Sequence, residues 1–200
     1  MPAMARWTPL SAAAAPVLLI GGWTAAEARQ PIGFDPVTDT ISALAGHRAA
    51  DRWLMTVALL GLGICHLVTA IGMRPAAPAG RLLLGLGGAA TLLVAALPLP
   101  RVGSSTGHGV AAAVAFTALA VWPALAWRRD PATPRMLSRA PSLAAFAVLL
   151  GLVLWFAACL FGEPGAPVGL AERVAAGAQA LWPLLVVASG GRGRRDEAAG

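Results

Sequence analysis

The chain has 200 residues, of which 58% are hydrophobic and only 12% are charged, against about 25% charged residues in an ordinary soluble domain. This composition, with a mean hydropathy of +0.71, argues against a soluble globular domain and indicates an integral membrane protein. The net charge of +6 comes from fifteen arginines without any lysine. Since these arginines are scattered between apolar runs, they do not predict a nucleic-acid partner.

Six apolar segments come close to the length of a membrane helix, which needs about 20 residues. They are residues 9–26, 53–73, 82–99, 109–127, 142–161 and 170–189, and the breaks between most of them are rich in Pro, Gly and Ser. The expected fold is therefore all-α, a polytopic bundle of six transmembrane helices within a single membrane domain, residues 1–200. The arginine-rich residues 190–200 are expected to form a disordered cytoplasmic tail.

The first segment has an alternative interpretation. The start "MPAMAR", the apolar run and "AEA" at residues 26–28 also fit a secretory signal peptide with a small-x-small cleavage site. We favour a retained helix, because the run is long and is interrupted by Pro16 instead of forming a compact apolar core.

The distribution of arginines predicts the orientation. Ten arginines flank the segments on the side that carries both termini, and five lie on the other side. By the positive-inside rule, the side with ten is cytoplasmic, so both termini are expected inside the cell. The alanine-rich, lysine-free composition is typical of a GC-rich bacterial genome, which makes a bacterial inner membrane the expected location.

A short polar segment, "DPVTDTISALAGHRAADRW", separates the first two spans. Asp35 is a suitable N-cap, Pro36 a favoured first helical residue, and Gly46 a suitable end. These signals predict a helix over residues 36–45 that is too short to cross a membrane. At 100° per residue, its polar face would carry Asp35, Thr38, Asp39 and Ser42, opposite Val37, Ile41 and Leu44.

This helix could lie flat at the outer interface or cover the mouth of the bundle. Interfacial helices usually present Lys and Arg to lipid head groups, so the acidic residues favour the covering position. The sequence then predicts an extracytoplasmic polar pocket beneath it. Its candidate residues are Asp39, Ser42, Arg101, His108, Glu172 and Arg173, with Asp35, His66 and Gln179 as secondary candidates.

Structural roles remain open for several of these residues. Glu172 and Arg173 could form a solvated first helical turn, in which the helix dipole favours the acid. His108 near an interface could be a hydrogen-bonded structural residue. His66 lies deep in the second span, where an ionisable group suggests function, yet a neutral imidazole can also bond a neighbouring backbone group.

Catalytic signatures are missing from the sequence. It contains no HExxH, GxSxG, phosphate-binding loop, dinucleotide fingerprint or haem-attachment motif. We therefore assign no catalytic residue, no metal site and no cofactor. A non-enzymatic role is favoured.

Two stretches carry a resemblance to a known family. "DPVTDTISALAGHRAADRW" and "GLAERVAAGAQALWPLL" resemble the signature and the closing pattern of the bacterial six-helix membrane family catalogued as domain of unknown function 998. The resemblance implies the six-span fold and points to Asp39, Ser42, His108, Glu172 and Arg173. It implies no reaction.

Three functions compete. The first is a membrane protein that binds or senses a lipid head group or small polar molecule in the pocket, with membrane lipids as its other partners. The second is a membrane-embedded lipid hydrolase or transferase that uses His108 with Asp39 or Glu172 as acid and base. The third is a small transporter, for which His66 and Gln179 would line a path below the pocket.

Overall fold

The computed structural model describes residues 3–130 and 133–196. These residues form helices and connecting loops, without any strand in the described ranges. The long helices are α1 (Thr8–Glu27), α3 (Trp53–Gly72), α4 (Pro78–Ala96), α5 (Thr106–Ala126), α6 (Arg139–Leu160) and α7 (Val168–Asp196); the short ones are α2 (Ile41–Leu44) and a 3-10 turn at Arg135–Leu137.

All six long helices contain a stretch that is long and apolar enough to cross a membrane. Each packs against the next long helix along the chain, and α7 packs back against α1. The result is a closed ring of six helices, which confirms the predicted six-helix membrane bundle. Helix α6 has the highest mean hydropathy of the six long helices, 2.6, and only 11% of its apolar stretch is buried. It is therefore the long helix that presents most of its surface to lipid.

Small residues allow neighbouring helices to approach closely. Gly63 of α3 faces Gly88 of α4, and a Cβ at Gly63 would lie 2.8 Å from the carbonyl oxygen of Gly88. The hydrophobic effect does not drive helices together in lipid, because lipid tails are as apolar as the side chains. Close packing of the backbones therefore stabilises helix association.

The first and the last of the described residues lie at one end of the bundle, here called the termini end. Gly190 lies beside Pro134 and Met4, and the Ala5 amide donates to the Gly72 carbonyl over 3.0 Å. The opposite end carries the connector, defined as residues 28–52, and is called the connector end. There the His47 amide donates to the carbonyl of Leu99, so the connector also contacts the loop between α4 and α5.

Helix boundaries differ from the predicted spans where local chemistry decides them. Helix α4 begins at Pro78 rather than at residue 82, because proline is favoured in the first helical turn. It ends at Ala96 rather than at residue 99, since Leu97 precedes Pro98 and such a residue is disfavoured in the α conformation. Ser105 caps α5 by accepting from the His108 amide.

The predicted connector helix over residues 36–45 is wrong in its extent, since α2 covers only Ile41–Leu44. The Asp35 carboxylate accepts from the Val37 amide over 2.9 Å, and the Asp39 carboxylate from the Asp35 amide over 2.9 Å. These bonds hold the aspartates in a turn, which is the usual competition between short polar side chains and helical backbone bonds. Thr40, not Asp35, is the N-cap.

The disordered tail predicted over residues 190–200 also differs from the structure. Helix α7 continues to Asp196, although three of residues 190–196 are glycines, which disfavour a helix. Residues 197–200 of the predicted tail lie outside the described residues.

Candidate functional site

Glu172 connects α7 to the connector. It lies near the start of α7 and is only 4% exposed. One carboxylate oxygen accepts from the Ile41 amide, and the other from the Ser42 hydroxyl over 3.1 Å. The side chain therefore holds α2 against the bundle by two hydrogen bonds.

Arg173 fixes the same part of the connector from the other side of α7. Its guanidinium pairs with the Glu27 carboxylate at the end of α1 and also donates to the carbonyl oxygens of Asp39, over 2.8 Å, and Gly169, over 2.9 Å. The Leu170 amide donates to the Val37 carbonyl over 3.0 Å. Successive residues on a helix point about 100° apart, which lets Glu172 and Arg173 bind different partners.

Gly169 permits this contact. A Cβ at this position would collide with the carbonyl oxygen of Asp39 and lie 2.7 Å from that of Pro36. Because only glycine lacks a Cβ, the connector backbone can lie directly on the first turn of α7.

A cavity lies inside the ring of helices, below α2. Its volume is about 50 Å³. The lining is mostly apolar and comes from every long helix except α6 together with α2: Leu19, Ile41, Ser42, Leu59, Leu62, His66, Thr91, Val94, Ala112, Ala115, Phe116, Leu119, Glu172, Ala176 and Gln179. Of these, Glu172 and His66 are the titratable side chains, so the cavity combines a carboxylate at the connector end with an imidazole deeper in the bundle.

Gln179 and His66 are the deep polar groups of the cavity. Gln179 donates its amide to the backbone carbonyl of Phe116 over 2.8 Å, across the ring from α7 to α5. His66 is 1% exposed, and neither of its ring nitrogens has a hydrogen-bond partner among the described residues. An imidazole left unpaired in an apolar bundle is costly, which makes His66 unusual.

The structure brings together some of the predicted site residues. Ser42, Glu172, Gln179 and His66 line one cavity. Arg173 is adjacent to it but is engaged with Glu27 and backbone carbonyls. These placements leave their roles in binding as predictions.

Other predicted residues lie apart from the cavity lining. Asp39 accepts a hydrogen bond from Arg173 through its backbone carbonyl, and its carboxylate accepts from the Asp35 backbone amide. Contrary to expectation, neither Asp35 nor Asp39 lines the cavity. His108 is buried, with its Nδ1 atom 2.8 Å from the Leu97 carbonyl oxygen. Arg101 is exposed in the loop before α5. The expected convergence of these residues in one pocket is therefore not found.

Sequence reasoning missed Glu27 and Thr91. Glu27 closes α1 and pairs with Arg173, a contact between residues 146 positions apart that no spacing rule predicts. Thr91 lines the cavity although its hydroxyl donates to the Gly87 carbonyl within α4. The available signal for Glu27 was its position as an acid at the end of an apolar span, where a charged partner is needed.

Comparisons with known proteins give one match. The sequence model of a family described as protein of unknown function (DUF998) matches residues 12–189. No curated protein and no solved structure matches the chain. With most of its length covered by that family's model, the chain belongs to the DUF998 family.

Proposed function

We propose that this protein is an inner-membrane receptor that binds a small polar molecule in the cavity beneath α2. The single observation that carries the proposal is the buried Glu172 carboxylate at the end of a mostly apolar cavity. Ligand sites commonly combine an apolar lining with a few placed polar groups. The arginine distribution supports a bacterial inner membrane with cytoplasmic termini and a connector that faces outward.

The charge of the lining favours a ligand with a positive end. Glu172 and Arg173 are neighbours, but the ion pair in the described part of the chain joins Arg173 to Glu27. A carboxylate has about four acceptor positions, and the connector uses two of those on Glu172. The remaining positions suit a hydrogen-bond donor, above all a cationic one, since charge-assisted bonds are the stronger ones.

The same features disfavour a lipid phosphate. A phosphate group needs cationic or amide donors, whereas the charged group in the cavity lining is the Glu172 carboxylate. The hydrolase or transferase alternative loses its support as well, because His108 bonds to a backbone carbonyl and is not part of the lining.

The transporter alternative is favoured by one specific observation. His66 and Gln179, which a path through the bundle would need, line the same cavity as Glu172. A sealed apolar layer between them would have argued against a path.

The binding proposal can be tested with three probes of similar size and different charge: ethylammonium, ethanol and acetate. The purified full chain in lipid nanodiscs is melted in the presence of each. At ten times Kd, a ligand that binds the folded state stabilises it by about 1.4 kcal/mol, which raises Tm by about 3–6 °C for a chain of this size.

Ethylammonium should raise Tm in the wild type and not in Glu172→Gln, while ethanol and acetate should raise it less or not at all. Glu163→Gln is the matched control, because Glu163 is exposed in the loop before α7. An equal shift in Glu172→Gln, a larger shift with acetate, or no shift with any probe would overturn the proposal.

A further inference from the structure

Six buried polar side chains follow one another through the bundle, each at most 9% exposed. From the connector end to the termini end they are Glu172 and Gln179 of α7, His66 and Thr69 of α3, and Ser11 and Thr8 of α1. Buried polar and ionisable residues inside a membrane are costly and often mark the path of an ion or a proton. Their succession from one end to the other calls for an explanation beyond ligand binding near the connector.

The outer half of this series is joined by the cavity. Glu172 and Gln179 are seven residues apart on α7, which corresponds to about 10 Å along the axis. A water molecule needs about 10–15 Å³ of cavity, so a volume of about 50 Å³ accommodates about three to five. At about 2.8 Å per hydrogen bond, three or four waters in line cover about 10 Å. The cavity can therefore connect Glu172 with the deep polar groups through water.

The inner half is joined by hydroxyl groups. Thr69 follows His66 by three residues on α3 and so lies on the same face. The Thr69 and Ser11 hydroxyls are 2.8 Å apart, and the Ser11 hydroxyl donates to the Thr8 carbonyl over 3.1 Å. Thr8 begins α1, so this hydroxyl pair leads towards the termini end.

His66 lies between the two halves. Its ring has one nitrogen that can accept a proton and one that can release a proton, and neither is engaged by the described residues. Elsewhere, the buried His108 has its Nδ1 atom within hydrogen-bond distance of the Leu97 carbonyl. The Thr8 hydroxyl and the indole nitrogens of Trp122 and Trp182 also lack a partner among the described residues, but of these groups only the His66 imidazole can take up and release a proton near neutral pH.

We propose that these side chains form a proton route across the bundle, with Glu172 as its outer acceptor and His66 as its central carrier. A proton from the outer solution binds to the Glu172 carboxylate and passes along water to the unprotonated ring nitrogen of His66. The Thr69 hydroxyl oxygen takes the proton from the other ring nitrogen and gives its own proton to the Ser11 oxygen, and Ser11 releases its proton to water at the termini end. One proton enters and one leaves, and rotation of the neutral ring and of both hydroxyl groups restores the first state.

The test uses the full chain in liposomes of phosphatidylethanolamine and phosphatidylglycerol that contain a pH-sensitive dye. A potassium gradient with valinomycin drives protons inward, and the rate of internal acidification is compared with that of empty liposomes. The wild type should acidify the lumen faster than empty liposomes do. His66→Leu should reduce that excess rate at least tenfold, and Thr69→Val should reduce it as well.

His47→Leu provides the matched control, because His47 is exposed in the connector and should keep the wild-type rate. Folding of each variant is checked by its elution profile and Tm. A wild-type rate equal to that of empty liposomes, or equal rates for His66→Leu and His47→Leu, would overturn the proton route. Neither result bears on the binding of ethylammonium, since that assay reads Tm without a proton gradient.

Discussion

Removal of the Glu172 side chain should release α2 from the bundle. In Glu172→Ala the Ile41 amide, which is part of a residue only 3% exposed, loses its acceptor. A buried donor left without a partner costs about 1–3 kcal/mol. The local free energy that holds α2 closed should fall by that amount, which corresponds to about 5–150-fold faster amide exchange.

Hydrogen exchange read by mass spectrometry measures this directly on the peptide that contains Ile41. Glu172→Asp keeps the charge but shortens the side chain by one methylene, so it should also accelerate exchange. This variant shows whether the length of the side chain, and not only its charge, is needed to hold α2. Glu163→Ala, at an exposed acid, should leave the peptide unchanged. The reasoning fails if Glu172→Ala leaves the exchange of this peptide as it is, or if exchange rises equally in all helices.

Three further changes test the surrounding contacts by thermal melting in detergent. Gly169→Ala places a Cβ against connector carbonyls and should lower the free energy of unfolding by about 1–3 kcal/mol. Its control, Gly151→Ala, places a Cβ in open space and should stabilise α6 by up to about 1 kcal/mol. Equal Tm shifts for the two variants would contradict this. Glu27→Gln removes the charged partner of Arg173 and should cost about 1.5–3 kcal/mol, and an unchanged Tm would show that the pair is not structural. His66→Leu removes two unpartnered nitrogens and should not lower Tm, so a clear loss of Tm would reveal a structural partner.

The six spans were predictable because hydropathy over about 20 residues is a strong signal in lipid. Their ends depended on local chemistry, such as Pro78 at the start of α4 and Pro98 after its end. The structure of the connector was harder to predict, since Asp35 and Asp39 can each cap a helix or close a turn. The backbone carbonyl of Asp39, rather than its carboxylate, contacts α7, and residue type carries no information on that choice.

The site was partly predictable for a related reason. In a chain with so few polar residues in its spans, those that must be buried have few partners, and Glu172 with Ser42 was such a case. The pairing of Glu27 with Arg173 was not predictable. It depends on α7 packing beside α1, which closes the ring between the first and last helices.

The contacts of Glu172 and Arg173 couple the connector to the cavity. Ser42 bonds to Glu172 and also lines the cavity, so a donor that occupies one of the remaining acceptor positions of Glu172 lies against docked α2. By linkage, a cation that binds this docked arrangement stabilises the docking of α2, and the docking of α2 strengthens the binding of that cation to the same degree. Arg173 keeps its bonds to Glu27 and the Asp39 carbonyl in either case. Ethylammonium should therefore slow exchange at Ile41 more than in α6, which does not contribute to the cavity lining, and a ligand bound elsewhere on the protein would not produce this difference.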